Sequence, residues 1–244
     1  MEVHHHPHLT HKEKPWKEYL LEGLMIFIAV TMGFFAESIH ETIREANLKK
    51  ELLEVVKSDF EKDIKQLELQ EKYAHEKMQK CDSLIKYLNA NPATVDQFKF
   101  YDCLITIKGW WFFNSVDKSR IQAEAKGYFN TKGSDELADA IIKFNFFKND
   151  YTNMEQNEVK QIELFNAEIP HISDYESFKL NNRFPLSINP KNKIGISRFD
   201  KESVKKVQYI VSEIMFNNDV YLSDINFMKE SAKKAIEQIN KQYH

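Results

Sequence analysis

The sequence predicts an all-α protein: an N-terminal transmembrane helix that continues into an elongated helical bundle with coiled-coil-like seams. Three observations point there. Glycine and proline number only six each in 244 residues, so little interrupts a helix. Residues 37–89 contain neither. Two stretches place apolar residues at alternating steps of four and three, the period of a helix face that packs on other helices. Hydrophobic residues make up 42%, enough for a core, and the 29% of charged residues nearly balance at a net charge of -3. Nucleic-acid binding usually leaves a basic footprint, so no nucleic-acid partner is expected.

The first element is the anchor, residues 19–37, preceded by a His-rich tail, 1–18. Residues 20–36 read LLEGLMIFIAVTMGFFA, apolar all round with Glu22 as the one charge. A soluble core helix would carry a polar stripe. Glu22 and Glu37 enclose fourteen uncharged residues. The two carboxylates then stand about 22 Å apart along a helix and reach opposite headgroup layers of a slightly thinned bilayer. A cleaved signal peptide would need a small residue where Phe34 stands, so an uncleaved signal anchor is the better reading. Lys12, Lys14 and Lys17 on one side nearly balance Arg44, Lys49 and Lys50 on the other. The short N-terminal tail decides the expectation: an inner-membrane protein with its N-terminus cytoplasmic and residues 38–244 in the periplasm. Ala29 and Gly33 form a small-xxx-small notch that lets another membrane helix approach, with Ile26 and Val30 on the same face.

The anchor is expected to run on without a break. Phe60, Ile64, Leu67, Glu71, Ala74, Met78, Cys81, Ile85 and Leu88 form a heptad seam with Glu71 as its polar member. A continuous helix would reach roughly 75 Å at the standard rise. Asn89 to Pro92 stops it, and Thr94 with Gln97 reads as a capping box opening a second helix to about Ile107. Cys81 and Cys103 lie eleven residues either side of Pro92. In an antiparallel hairpin they share one height and are a candidate disulfide, worth on the order of 3 kcal/mol for a loop of that length. Such a bond belongs in an oxidising compartment; two core cysteines in mere contact is the alternative.

Gly109 to Phe113 reads GWWFF. Trp110, Trp111 and Phe112 are expected to pack in the core, with a partner-binding patch as the alternative. Ser134 and Asp135 open a third long helix whose apolar face holds Leu137, Ile141, Phe144, Tyr151, Met154, Ile162 and Phe165, and which ends before Pro170. An irregular segment of about 172–199 follows. Asp200 caps the last helix, whose seam runs Val204, Val207, Val211, Ile214, Asn218, Tyr221, Ile225, Met228, Ala232, Ala235, Ile239. A buried Asn in such a seam often fixes alignment between helices.

The opening MEVHHHPH and the stretch KEYLLEGLMIFIAVTMGFFAES resemble uncharacterised single-pass envelope (inner-membrane) proteins of Bacteroidota, in which the anchor is likewise followed by a long charged helix, here LLEVVKSDFEKDIKQLE. The stretch SRIQAEAKGYFNTKGSDELADAIIKFNFF is similar to a pattern in that family: helix, glycine-containing turn, helix with an aromatic end. The resemblance implies the topology and a helical extracytoplasmic domain, and no activity.

Five of the nine histidines, His4, His5, His6, His8 and His11, stand in the first eleven residues. Clustered imidazoles bind zinc, copper or nickel, but a solvated tail with fortuitous affinity is the simpler expectation, and no metal or cofactor is assigned. Glu22 is an intramembrane carboxylate, a functional candidate by default; at the very end of the apolar run it is expected to snorkel to the headgroups. His40, His75, His171 and His244 are scattered, and no HExxH, GxSxG, Walker or dinucleotide motif is present. The chain therefore reads as a non-enzymatic accessory or scaffold subunit of a larger envelope complex. Its expected partners are the bilayer, other membrane proteins and other copies of itself. The alternatives are an extracytoplasmic ligand-sensing module and a homo-oligomeric coiled-coil spacer.

Overall fold

A computed structural model describes residues 15–109, 112–129, 135–174 and 199–243. The fold is all-α, and no strand occurs among the described residues. Among the described residues five helices follow one another: α1 (Trp16–Leu88), α2 (Gln97–Lys108), α3 (Lys118–Ala125), α4 (Asp135–Ile172) and α5 (Lys201–Tyr243), with a 3-10 turn, Pro92–Thr94, between α1 and α2. The chain divides into two units, Met1–Glu51 and Leu52–His244.

In the first unit the described chain is one stretch of α1. Thr31 and Lys49 are half-buried and every other described residue is exposed. The two threonines that could present a bare hydroxyl turn it back on the helix: Thr31 Oγ1 donates to Phe27 O at 2.7 Å and Thr42 Oγ1 to Ser38 O at 2.9 Å.

The second unit is a bundle built on the rest of α1, α4 and α5. Two apolar clusters fix the directions. One joins Leu53–Leu67 of α1 to Leu137–Tyr151 of α4 and Tyr221–Ile239 of α5. The other joins Cys81–Leu88 of α1 to Phe165–Ile172 of α4 and Val207–Ile214 of α5, and takes in α2. So α4 runs with α1, and α5 runs against both. The aromatic pairs Phe60–Phe144 (centroids 5.1 Å, edge-on) and Phe113–Tyr151 (6.0 Å, edge-on) sit in the first cluster. Phe100, fully buried, meets Phe199 at 5.7 Å in the second. An edge-on or offset pair adds about 0.5–1.5 kcal/mol beyond its burial.

The seam expected for α5 is found: Val207, Val211, Ile214, Asn218, Tyr221, Ile225, Met228, Ala232, Ala235 and Ile239 are all buried. The seam expected for α1 is half right. Phe60, Leu67, Ala74, Cys81 and Leu88 are buried, but the alternate positions are Asp63, Lys77 and Leu84 rather than Ile64, Met78 and Ile85. The inward face is turned by one residue because two charged side chains find partners inside. Glu71, the expected polar member, lies at the edge of the face and accepts from Lys229 Nζ at 2.8 Å.

The ends of the helices hold two further corrections. Asp96, not Thr94, caps α2: its Oδ1 accepts from the backbone N–H of Phe98 at 3.0 Å and Lys99 at 3.2 Å. Thr94 belongs to the preceding 3-10 turn, where its hydroxyl donates to Asn91 O. α4 does not end before Pro170 but carries it in its last turn and runs to Ile172. There the lost N–H bond is the main cost, and buried Ile169 and Ile172 on either side hold the turn against the bundle. Between α3 and α4, Gly127 takes φ 69°, a left-handed conformation that a Cβ penalises, just after the end of α3. Asp200 caps α5 as expected, accepting from Ser203 N at 2.9 Å.

Candidate functional site

Three places among the described residues concentrate chemistry. The first is the charged node that seats α3. Asp63, fully buried, accepts from Arg120 Nη1 at 2.8 Å, from Val116 N at 3.0 Å and from Ser115 Oγ at 2.9 Å. Arg120, itself 3% exposed, pairs through its other terminal nitrogen with Asp117, and its guanidinium lies over the Phe60 and Phe144 rings at 4.6 and 4.9 Å. Lys148 Nζ reaches Asp117 at 2.5 Å, and Ser119 donates to Asp59 at 2.5 Å. With Lys62 on Asp59 at 3.0 Å, three carboxylates meet three cations. A planar guanidinium both forks and stacks, which a lysine cannot do. Burial alone raises the Asp117 carboxyl, but hydrogen bonds from Lys148, Arg120 and Ser115 outweigh it and hold the group below its usual range.

The second is a polar layer halfway along the bundle, between the two apolar clusters. Lys77 Nζ donates to Glu158 Oε1 at 2.7 Å, both residues 7% exposed. Asn218 Nδ2 donates to Ile214 O at 2.8 Å and approaches the same Glu158 oxygen at 3.4 Å. Gln70, Tyr73, Tyr151 and Tyr221 complete the wall of a cavity of about 30 Å³. That is room for one or two waters, since a water needs roughly 10–15 Å³ of such space. Burial, then the Glu158 carboxylate, pushes the Tyr221 phenol up, and burial with the carboxylates of Glu155, Glu158 and Asp224 does the same to Tyr151. One turn along α5, Asp224 has a buried Oδ2 without a hydrogen-bond partner. Burial, and then the charge of Asp150, raises its carboxyl to about 6.

The third is the thiol pair. The α1–α2 hairpin brings Cys81 and Cys103 into one apolar cluster, and both are free thiols, 0% and 2% exposed. Burial pushes Cys81 up to about 12 and Cys103 up to about 11. At neutral pH each is therefore a protonated thiol, and it is the thiolate that attacks or binds metal.

The remaining residues singled out by sequence fall as follows. Glu22, Ala29 and Gly33 lie on the exposed stretch of α1, and a Cβ built at Gly33 meets nothing within 4 Å. By length and composition α1 is long and apolar enough to cross a membrane, and none of its most apolar window is buried. Phe112 is half-exposed, and its carbonyl accepts from Gln70 Nε2 at 3.3 Å; the neighbouring Phe113 turns inward instead, 9% exposed. Trp110, Trp111, the tail histidines His4, His5, His6, His8 and His11, and most of the 172–199 segment lie outside the described residues. Among the described residues no three His, Cys, Asp or Glu side chains gather where an ion could be held.

Sequence reasoning missed the Arg120 node. Its fully buried partner, Asp63, is 57 residues away in α1, so no local pattern encodes that pair. The available signal was choice of residue: Arg120 is one of four arginines in a chain that otherwise uses lysine. Comparison with protein-family models, with curated proteins and with solved structures finds no match to this chain.

Proposed function

We propose that the protein is a non-enzymatic, single-pass inner-membrane protein that serves as an accessory or scaffold subunit of a larger envelope complex. Its N-terminus lies in the cytoplasm and its helical domain in the periplasm. The observation that carries this reading is the first stretch of α1. From Leu20 to Phe35 it exposes a ring of Leu, Met, Ile, Phe and Val side chains, most of them more than half uncovered. In water that surface would be costly at about 25 cal/mol per Å²; in lipid it is the ordinary surface of a spanning helix. The notch at Ala29 and Gly33 suits a partner membrane helix.

The interior supports a structural role. Its charged groups other than Asp224 are paired, its thiols are protonated, and its polar cavity of about 30 Å³ is far below the 300–1,000 Å³ of pockets that take drug-sized ligands. That disfavours the ligand-sensing alternative within the bundle core.

The test is purification from native membranes in mild detergent, with identification of what travels along. Stoichiometric membrane-protein partners are the expected result; release from the membrane by alkaline carbonate would overturn the anchor, and isolation as a single copy alone would overturn the scaffold role. Thiol labelling of whole cells with and without denaturation tests the side: thiols reached only by membrane-permeant reagents in unfolded protein would place the domain in the cytoplasm.

A further inference from the structure

Among the described residues the bundle leaves one broad face without cover, and its composition is unlike the rest of the surface. Ten large apolar side chains beyond residue 51 are exposed among the described residues, and six of them lie on α4 and α5: Ile142, Phe146, Leu164, Tyr209, Phe216 and Phe227, each 44–66% exposed. Steps of three and four residues put each helix's members on one stripe. On α4 the gap between Phe146 and Leu164 is filled by exposed Asn149, Asn153 and Asn157, with Lys160 the one charge. On α5 the gaps hold Ser212, Val220 and Ser223, with the charges of Glu213 and Asp219 at the margins of the stripe. One charge in thirteen positions contrasts with 29% charged residues in the chain as a whole. Two open grooves lie along the α4–α5 pair, about 600 Å³ at the Phe146–Phe227 end and about 440 Å³ at the Leu164–Tyr209 end.

We propose that this face is where a second copy of the chain docks, two α4–α5 pairs closing into a four-helix layer. Two arguments select a copy of itself. A self-docking face meets its own charges, so like charge lies near like charge unless the centre is neutral. This centre is neutral, and the rim of the larger groove carries both signs, Asp139 and Glu230 with Lys143 and Lys234. The area also fits. The α4 stripe from Ile142 to Leu164 is about 33 Å long and two helices are about 20 Å wide, giving roughly 650 Å² in projection. That approaches the ~800 Å² per partner of a standard interface. Exposed aromatics at the centre with charges at the margin is also the usual composition of such contacts. The proposal is independent of the membrane assignment, since every residue in it lies in the second unit.

The test uses the full-length chain in mild detergent, with protein mass measured by light scattering after gel filtration. Wild type should show twice the chain mass at micromolar concentration. Phe146→Glu and Phe216→Glu should each weaken the dimer at least tenfold with unchanged helicity. Should either fail to fold, Ser223→Lys places a charge at an exposed serine of the same stripe and should act alike. Gly33→Leu in the first unit and Leu69→Glu on the exposed side of α1 should leave the double mass intact. A single-chain mass for wild type would overturn the proposal. So would a double mass retained by folded Phe216→Glu or Ser223→Lys variants, or one lost in Gly33→Leu alone.

Discussion

One helix carries two opposite arrangements of polarity. Along Leu20–Ala36, α1 is apolar outside and has no buried residue; along Leu52–Leu88 it is polar outside and buries Asp59, Asp63 and Lys77 beside its leucines. The contrast teaches that burial and hydropathy are separate properties. An apolar residue left bare calls for a non-aqueous neighbour. A charge taken inside calls for a counter-charge from another helix, here Arg120 from α3 and Glu158 from α4. The second half of α1 is thus tied to the rest of the fold by specific pairs, while the first half is defined by what surrounds it.

The strongest way to break that contrast is to strip a buried charge of its partner. Asp63→Ala should cost about 3–5 kcal/mol, because the buried Arg120 loses its fully buried counter-charge and keeps only Asp117. Urea unfolding followed by circular dichroism measures it, and a loss below about 1 kcal/mol would show that the node is solvated. The same charge logic applied to the first half gives a different outcome. Ile28→Lys places a cation in mid-span, where it costs about 2.5–3.5 kcal/mol of insertion. The expected effect is more protein released by carbonate, with an unchanged urea midpoint for the bundle.

Asp224 sharpens the comparison from the other side, as a buried acid with no partner. Its carboxyl is raised from 3.8 to about 6. The folded state therefore holds a proton that the unfolded chain has released, and stability falls as pH rises between those two values. Asp224→Asn should gain on the order of 1–2 kcal/mol at pH 7 by removing that penalty. Thermal melts across pH 4–8 should lose their downward slope; an unchanged slope would assign it to another group. The smallest effect is expected at the α2 cap, where Asp96→Ala should cost about 1 kcal/mol. Thr94→Ala, the capping residue that sequence favoured, should cost less than that.

How much was readable follows from which forces are local. The α5 seam was legible because its period is apolar apart from Asn218, which the bundle does bury. The α1 seam was legible at alternate positions only. A rule that admits just apolar residues skips Asp63 and Lys77 and slides to Ile64 and Met78. The Pro170 stop failed for a similar reason: packing on both sides of the proline outweighs one missing hydrogen bond. The charge-poor α4–α5 stripe is present in the sequence as well. Its exposed Asn and Ser positions have the composition of any solvated helix face, so the pattern alone does not mark it as a contact.

The Lys77–Glu158 pair has a consequence for how the chain is made. Its members are 81 residues apart. At about 5–20 residues per second, Lys77 leaves the ribosome some 4–16 s before its counter-charge exists. Through that interval the inward face of α1 holds bare leucines and an unanswered lysine together. That face stays open until α4 and α5 arrive to cover it.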